Sequence, residues 1–202
     1  MRAALIGISQ RVTIAQPHGE KRDSLAFDWY PFLKDLGALW VAMPNDASSA
    51  LDLAQQLKLD GLVLTGGDDI GLFPERDDTE AALLEWFKEN ERPVIGVCRG
   101  FQMIHKWLGG RLAPVSSAIH VARHHEINIE GQNKRTVNSY HNYTPDFTSQ
   151  TALMKPFAFC LDDGSVEAAR GENMLGLMWH PEREPVPQPE DILLFKKHLR
   201  LV

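Results

Sequence analysis

The first 110 residues alternate four times between short apolar runs and amphipathic helical patterns, and this alternation leaves few folds open. Leu5 to Ile8 is an apolar run bounded by polar residues. Leu39 to Met43 is a second, ended by Pro44; LDGLVLTGG contains a third and PVIGV, at 93–97, a fourth. Between them, Leu25, Trp29, Phe32, Leu33 and Leu36 stand at helical spacing within Ser24 to Leu36, which stops at Gly37. Pro31 delays or kinks the regular part of that helix. Asn45 or Asp46 caps a second helix bearing Leu51, Leu53, Ala54 and Leu57. Residues 79–90 form a third with Leu83, Leu84, Trp86 and Phe87, and residues 99–108 a fourth, closed by Gly109 and Gly110. Continuous apolar strands separated by amphipathic helices are buried on both faces. The pattern predicts an α/β fold with a mostly parallel sheet, covered by helices on both sides.

The second half has a different texture. Segments 125–130, 134–139, 155–161, 166–170 and 174–179 read as short strands, and a last helix spans about 190–199. The proline-rich EREPVPQPED is too short to separate domains, so residues 1–202 are expected to form one domain. A net charge of −6, with no basic run, argues against non-specific nucleic-acid binding. No apolar stretch approaches the roughly 18 residues a bilayer span needs. The amino-terminal MRAALIGISQRV reads as a first strand and not a signal peptide. Two cysteines, Cys98 and Cys160, make no disulfide framework, so a reducing, cytoplasmic location is the default.

Chemistry concentrates at strand ends, where open α/β sheets bind their ligands. Cys98 sits at the carboxyl end of one apolar strand, where it meets a helix. A sharp turn there lifts the side chain out of the core, and a helix N-terminus favours a thiolate. Gly96 and Gly100 give that turn room. Gln102, four residues on, stands near the same face as Cys98. A nucleophilic thiol needs a base, and the base an orienter. MLGLMWHPERE places His180 and Glu182 after another apolar strand, on the same side of an extended chain held by Pro181. Gly66 and Gly67 follow strand 62–65, expected beside the cysteine strand, and the backbone N–H groups there and at Arg99 suit an oxyanion hole.

With these residues assembled, TGGDD at 65–69, GVCRGFQ at 96–102 and WHPE at 179–182 resemble the class I glutamine amidotransferase superfamily. The likeness is strongest to its γ-glutamyl hydrolase branch, including the γ-glutamyl-γ-aminobutyrate hydrolase type, whose stretch before the histidine resembles VNSYH at 137–141. The resemblance implies a flavodoxin-like sheet and a triad of Cys98, His180 and Glu182. It puts the oxyanion donors on the backbone N–H groups of Gly67 and Arg99. It assigns the glutamyl group to Gln102, with Asn138, Ser139 and His141 lining the pocket. GISQR, RDSLAFDW, VNSYHNY and MWHPERE further resemble a bacterial subgroup tied to capsule or other surface-polysaccharide assembly. In that subgroup the substrate resembles a γ-glutamyl group joined through its amide nitrogen to cytidine diphosphate. A phosphate-bearing leaving group needs cations, and Arg11, Arg22, Lys21, Arg123 and His124 are the candidates.

The partner implied is thus a small γ-glutamyl compound, with no nucleic acid and no membrane, and with a homo-oligomer left open. No cofactor is called for. His120, His124 and His125 invite a metal reading, but the stretch lacks a helical pattern and a carboxylate at ligand spacing, so no metal is assigned. Cys160, inside PFAFCL, reads as core, while Trp29 and Trp107 are placed to flank a ligand. A glutaminase subunit that feeds ammonia to a separate synthase is the alternative enzyme. A non-enzymatic relative on the same fold is disfavoured, because both the histidine and the glutamate are present.

Overall fold

The computed structural model describes residues 3–131, 134–149 and 153–202. Its first strand, β1 (Leu5–Ser9), leads into a hairpin of β2 (Arg11–Ala15) and β3 (Glu20–Ser24), followed by α1 (Trp29–Leu36). Then come β4 (Leu39–Met43), α2 (Ala47–Gln56), β5 (Gly61–Leu64), α3 (Pro74–Glu89), β6 (Val94–Val97) and α4 (Arg99–Trp107). The second half runs β7 (Arg111–Pro114), α5 (Ser117–His120), β8 (Val121–Ile129), β9 (Arg135–Tyr140), β10 (Tyr143–Asp146), β11 (Lys155–Cys160), β12 (Val166–Arg170), β13 (Met174–Leu177) and α6 (Pro189–His198).

One nine-stranded sheet, in the order β4-β1-β5-β6-β13-β12-β11-β8-β9, organises the molecule. Strands β4 to β13 in that order pair in parallel, and β12, β11, β8 and β9 extend the sheet antiparallel. The period of two along a strand sorts the core. Val63 of β5 and Ile95 of β6 face a cluster with Trp29, Phe32 and Phe195 of α1 and α6. Leu62, Leu64 and Val94 face the opposite side, against Leu83, Phe87, Phe101 and Ile104 of α3 and α4. The parallel half and its two helical layers are therefore as the apolar pattern predicts. Among the described residues, no helix is long and apolar enough to cross a membrane.

Local chemistry sets the boundaries. Asp46 caps α2, its side chain accepting from the Ser49 N–H at 2.9 Å. The helix expected over 24–36 starts only at Trp29, because residues 20–24 pair with β2 instead. Conversely, α3 begins at Pro74, five residues earlier than its apolar spacing suggests, since proline suits a first helical position. The β2–β3 hairpin and the β7–β10 pair were not legible in the apolar pattern. Both are short ribbons beside the main sheet, without a continuous apolar run.

Candidate active site

Cys98 adopts φ 52°, ψ −107° between β6 and α4. A left-handed φ on a residue with a Cβ costs of the order of 1–3 kcal/mol and persists only where its surroundings enforce it. Here the Cys98 N–H donates to the Leu177 carbonyl at 2.6 Å, and the Cys98 carbonyl accepts from Gln102 at 3.1 Å. Helix and strand approach so closely that a Cβ on Gly96 would lie 2.5 Å from the Gly100 backbone. The turn is a strained elbow, tied by backbone to Leu177 at the end of β13.

His180 follows that strand. Its Nδ1 donates to Glu182 Oε1 at 2.6 Å, and Cys98 is near enough to the ring to raise its proton affinity. His180 and Glu182 are 1% and 4% exposed. Burial alone would lower the imidazole, but the Glu182 charge and the adjacent Cys98 outweigh it and raise His180 to about 9. A gap of that size from the ordinary value corresponds to about 3 kcal/mol between protonation states. Because the folded value is the raised one, this stabilisation is complete below about pH 6.5 and is lost as pH rises through about 9. Urea unfolding at pH 6.5 and 9.5 is expected to show wild type losing more stability over that interval than Glu182→Gln. Equal losses would detach the raised proton affinity from Glu182.

The glycine loop after β5 packs against the imidazole. A Cβ on Gly66 would lie 2.5 Å from His180 Cε1, so only glycine allows this approach. Gly67, at φ +148°, turns the next peptide. One buried ionic network holds both this loop and the start of α4. Arg76 donates to the Thr65 and Gly66 carbonyls at 2.8 and 3.1 Å and to Glu80 at 2.9 Å, while Arg99 pairs with Glu80 and Asp77. Burial alone would raise the Glu80 carboxyl; Arg76 and Arg99 outweigh it and hold it below the ordinary carboxylate range. The backbones of Gly67 and Arg99, the two expected oxyanion donors, are thus set by a common carboxylate.

The remaining candidates divide. Gln102 is buried, donates to the Tyr143 carbonyl at 2.8 Å, and lines a cleft of about 300 Å³ with Asp69 and Lys106. Asn138 clamps the His180 backbone: its amide donates to the His180 carbonyl at 2.8 Å and accepts from the His180 N–H at 2.9 Å. Ser139 donates to the His120 carbonyl at 2.8 Å, and His141 turns to Glu167. Arg11 reaches a cavity that also touches Trp29, Gly66, His180 and Glu182, and it pairs with Asp68 at 3.2 Å. Arg22 pairs with Glu20 at 2.9 Å, Lys21 with Glu75 at 2.6 Å, and Arg123 and His124 are exposed on β8. Trp107 stacks under Lys88. Cys160 is 2% exposed, and burial pushes its thiol up to about 11.

Sequence reasoning missed Arg183 and Tyr140. Arg183 lines the Arg11 cavity and lies over the Tyr140 ring at 4.5 Å, and that ring meets His180 edge-on at 5.7 Å. The only available signal for Arg183 was its place beside Glu182.

Comparison with known proteins shows the family and the fold. The chain is 31% identical to a γ-glutamyl-CDP-amidate hydrolase of Campylobacter jejuni, over 89% of this chain and 90% of that one. It is 28% identical to the carbamoyl phosphate synthase small chain of Mesorhizobium japonicum, over 94% of this chain but 46% of that protein. A crystal structure of a glutamine amidotransferase from Thermotoga maritima superposes with a TM-score of 0.71 at 15% identity, covering 100% of this chain and 86% of that one. The peptidase C26 family model matches residues 4–182, a span running from β1 through the elbow to the His180–Glu182 pair, and the chain belongs to that family.

Proposed function

We propose that this protein hydrolyses a γ-glutamyl amide through a thioester on Cys98. The observation that carries the reading is the strained cysteine elbow, with Cys98 near enough to His180 to raise its proton affinity and Glu182 bonded to the imidazole. Cys98 gives its thiol proton to His180 and its Sγ attacks the γ-carbonyl carbon, and the oxyanion that forms accepts from the N–H groups of Gly67 and Arg99. As the C–N bond breaks, His180 gives its proton to the departing nitrogen. Water then adds to the thioester carbon, His180 takes its proton, and the C–S bond breaks to release glutamate and the thiol. The Gln102 cleft suits the glutamyl end, because Asp69 and Lys106 offer opposite charges to its α-ammonium and α-carboxylate.

The leaving group we infer is a phosphate-bearing amidate of the γ-glutamyl-CDP-amidate kind, released as cytidine diphosphoramidate for surface-polysaccharide assembly. Supporting this is the Campylobacter relative; Arg11 and Arg183 line a cavity of only about 30 Å³ beside His180, so they would meet the phosphates at its mouth. A charge-assisted contact is worth roughly 1.5–3 kcal/mol, so losing either arginine should cost about ten- to a hundredfold in kcat/KM. The test compares γ-glutamyl-CDP-amidate, a γ-glutamyl alkylamide and glutamine on wild type, Arg11→Ala and Arg183→Ala, at two salt concentrations. The diphosphate substrate is expected to win on wild type and to lose its advantage in both variants. If the alkylamide wins and neither arginine matters, the phosphate-bearing substrate is wrong and the generic hydrolase stands. The likeness to the carbamoyl phosphate synthase small chain supports a second reading, a glutaminase subunit, which requires glutamine to be the best substrate and a synthase partner to raise its turnover.

A further inference from the structure

Beneath the segment that carries Asn138, the fold buries a group of side chains that the proposed hydrolysis does not use. His120 at the end of α5, His141 just after β9 and Glu167 on β12 are 0%, 3% and 0% exposed. Glu167 Oε1 stands 3.6 Å from His120 Nδ1 and 3.5 Å from His141 Nε2, and His125 Nε2 lies 3.3 Å from the same oxygen. These separations exceed the roughly 2.7–3.2 Å of a good N–H···O bond. Within good hydrogen-bond geometry, both carboxylate oxygens of Glu167 and both ring nitrogens of His125 and His141 have no partner among the described residues. Burial alone would raise the Glu167 carboxyl, although the two rings stand near enough to hold it below its ordinary value. Leaving so many buried polar atoms unpaired is expensive unless something else satisfies them.

We propose that His120, His141 and Glu167 bind a zinc ion. In a tetrahedral site with bonds of about 2.0–2.1 Å, neighbouring ligand atoms stand roughly 3.3–3.5 Å apart, close to the separations at Glu167. The donor atoms of the three residues lie within 4.8 Å of one another. Two imidazoles and one carboxylate are a borderline donor set that suits zinc and not magnesium or calcium. An outer partner is already in place: His120 Nε2 donates to Asp163 Oδ2 at 2.9 Å, which leaves Nδ1, with only a long 3.5 Å contact to Ser139 Oγ, as the nitrogen that faces Glu167. Asp163 is itself held by the Ser165 N–H at 3.0 Å. His125, beside the same carboxylate oxygen, is the nearest further ligand.

The ion ties three elements that the sheet joins only at its antiparallel end. The His141 N–H bonds the His120 carbonyl, and the Glu167 carbonyl accepts from Met178, two residues before His180. Zinc there is structural, steadying the strand whose Asn138 clamps the His180 backbone. The assignment does not rest on the proposed reaction.

The test uses the full chain, purified without a polyhistidine tag. About one zinc per chain is expected by elemental analysis. Chelation should lower the melting temperature, and Zn2+ but not Mg2+ should restore it. X-ray absorption at the zinc edge should show nitrogen and oxygen neighbours only. Cys98→Ala should keep the metal, which separates this site from the reactive thiol. Glu167→Gln should lose it, and Asp163→Asn, which touches only the outer side of His120, should weaken it about ten- to a hundredfold. A wild type that takes up no zinc in titration, a sulfur neighbour in the absorption spectrum, or unchanged affinity in Asp163→Asn would each overturn the assignment, even if Glu167→Gln fails to fold.

Discussion

Replacing Cys98 by alanine is expected to abolish hydrolysis of γ-glutamyl amides, by at least about a thousandfold in kcat, while the chain still folds. The fold survives because the elbow is enforced from outside: β6 is paired on both sides, and the backbone bonds from Leu177 and Gln102 remain. Alanine keeps the strain of φ 52°, whereas Cys98→Gly removes both the thiol and the strain. The glycine variant should therefore be equally inactive but at least as stable as wild type, to which thermal unfolding and a turnover assay give independent readings. Either variant retaining a tenth of wild-type turnover would remove Cys98 from the mechanism. Cys160→Ala is the matching control. Its buried thiol packs in the second half of the sheet, so stability should fall while turnover stays.

Glu182→Gln is expected to lower kcat by about two to four orders of magnitude with little change in KM. Glutamine preserves the shape and can still hydrogen-bond the imidazole, but it carries no charge to hold a proton on His180. The raised proton affinity of His180, about 9, owes its largest upward contribution to that carboxylate. In the variant the imidazole should titrate closer to its ordinary range, and the alkaline limb of the rate profile should move down with it. If KM rose steeply while turnover of bound substrate held, Glu182 would be a substrate ligand and not the orienter. Arg183 Nε lies 3.8 Å from the same carboxylate oxygen, so Arg183→Ala in this background separates the two roles.

Signals of short range carried the parts of this protein that were readable in advance. A run such as VIGV announces a buried parallel strand through its own residues. Cys98 declares its elbow through the glycines on either side, and His180 meets Glu182 because residues two apart in an extended chain share a face. Other features depend on partners far along the chain. Asn138 clamps His180 across 42 residues, and Arg99 finds Glu80 across 19. No local period encodes either pairing, so neither the Asn138 clamp nor the Arg99–Glu80 bond was legible in the sequence.

By itself, then, the sequence determined the parallel half of the sheet, its two helical layers and the order of cysteine, histidine and glutamate, because periods of 2 and 3.6 and an i to i+2 contact are properties of neighbouring residues. The tertiary structure alone decided where Arg22 and Arg183 go, which network braces the glycine loop, and that three histidines surround one buried carboxylate. The carboxylate that meets these histidines is Glu167, two strands away in the sheet from the strand carrying His125. Sheet pairing brings such groups together only once the whole order of strands is set, and a chain read locally does not contain that order.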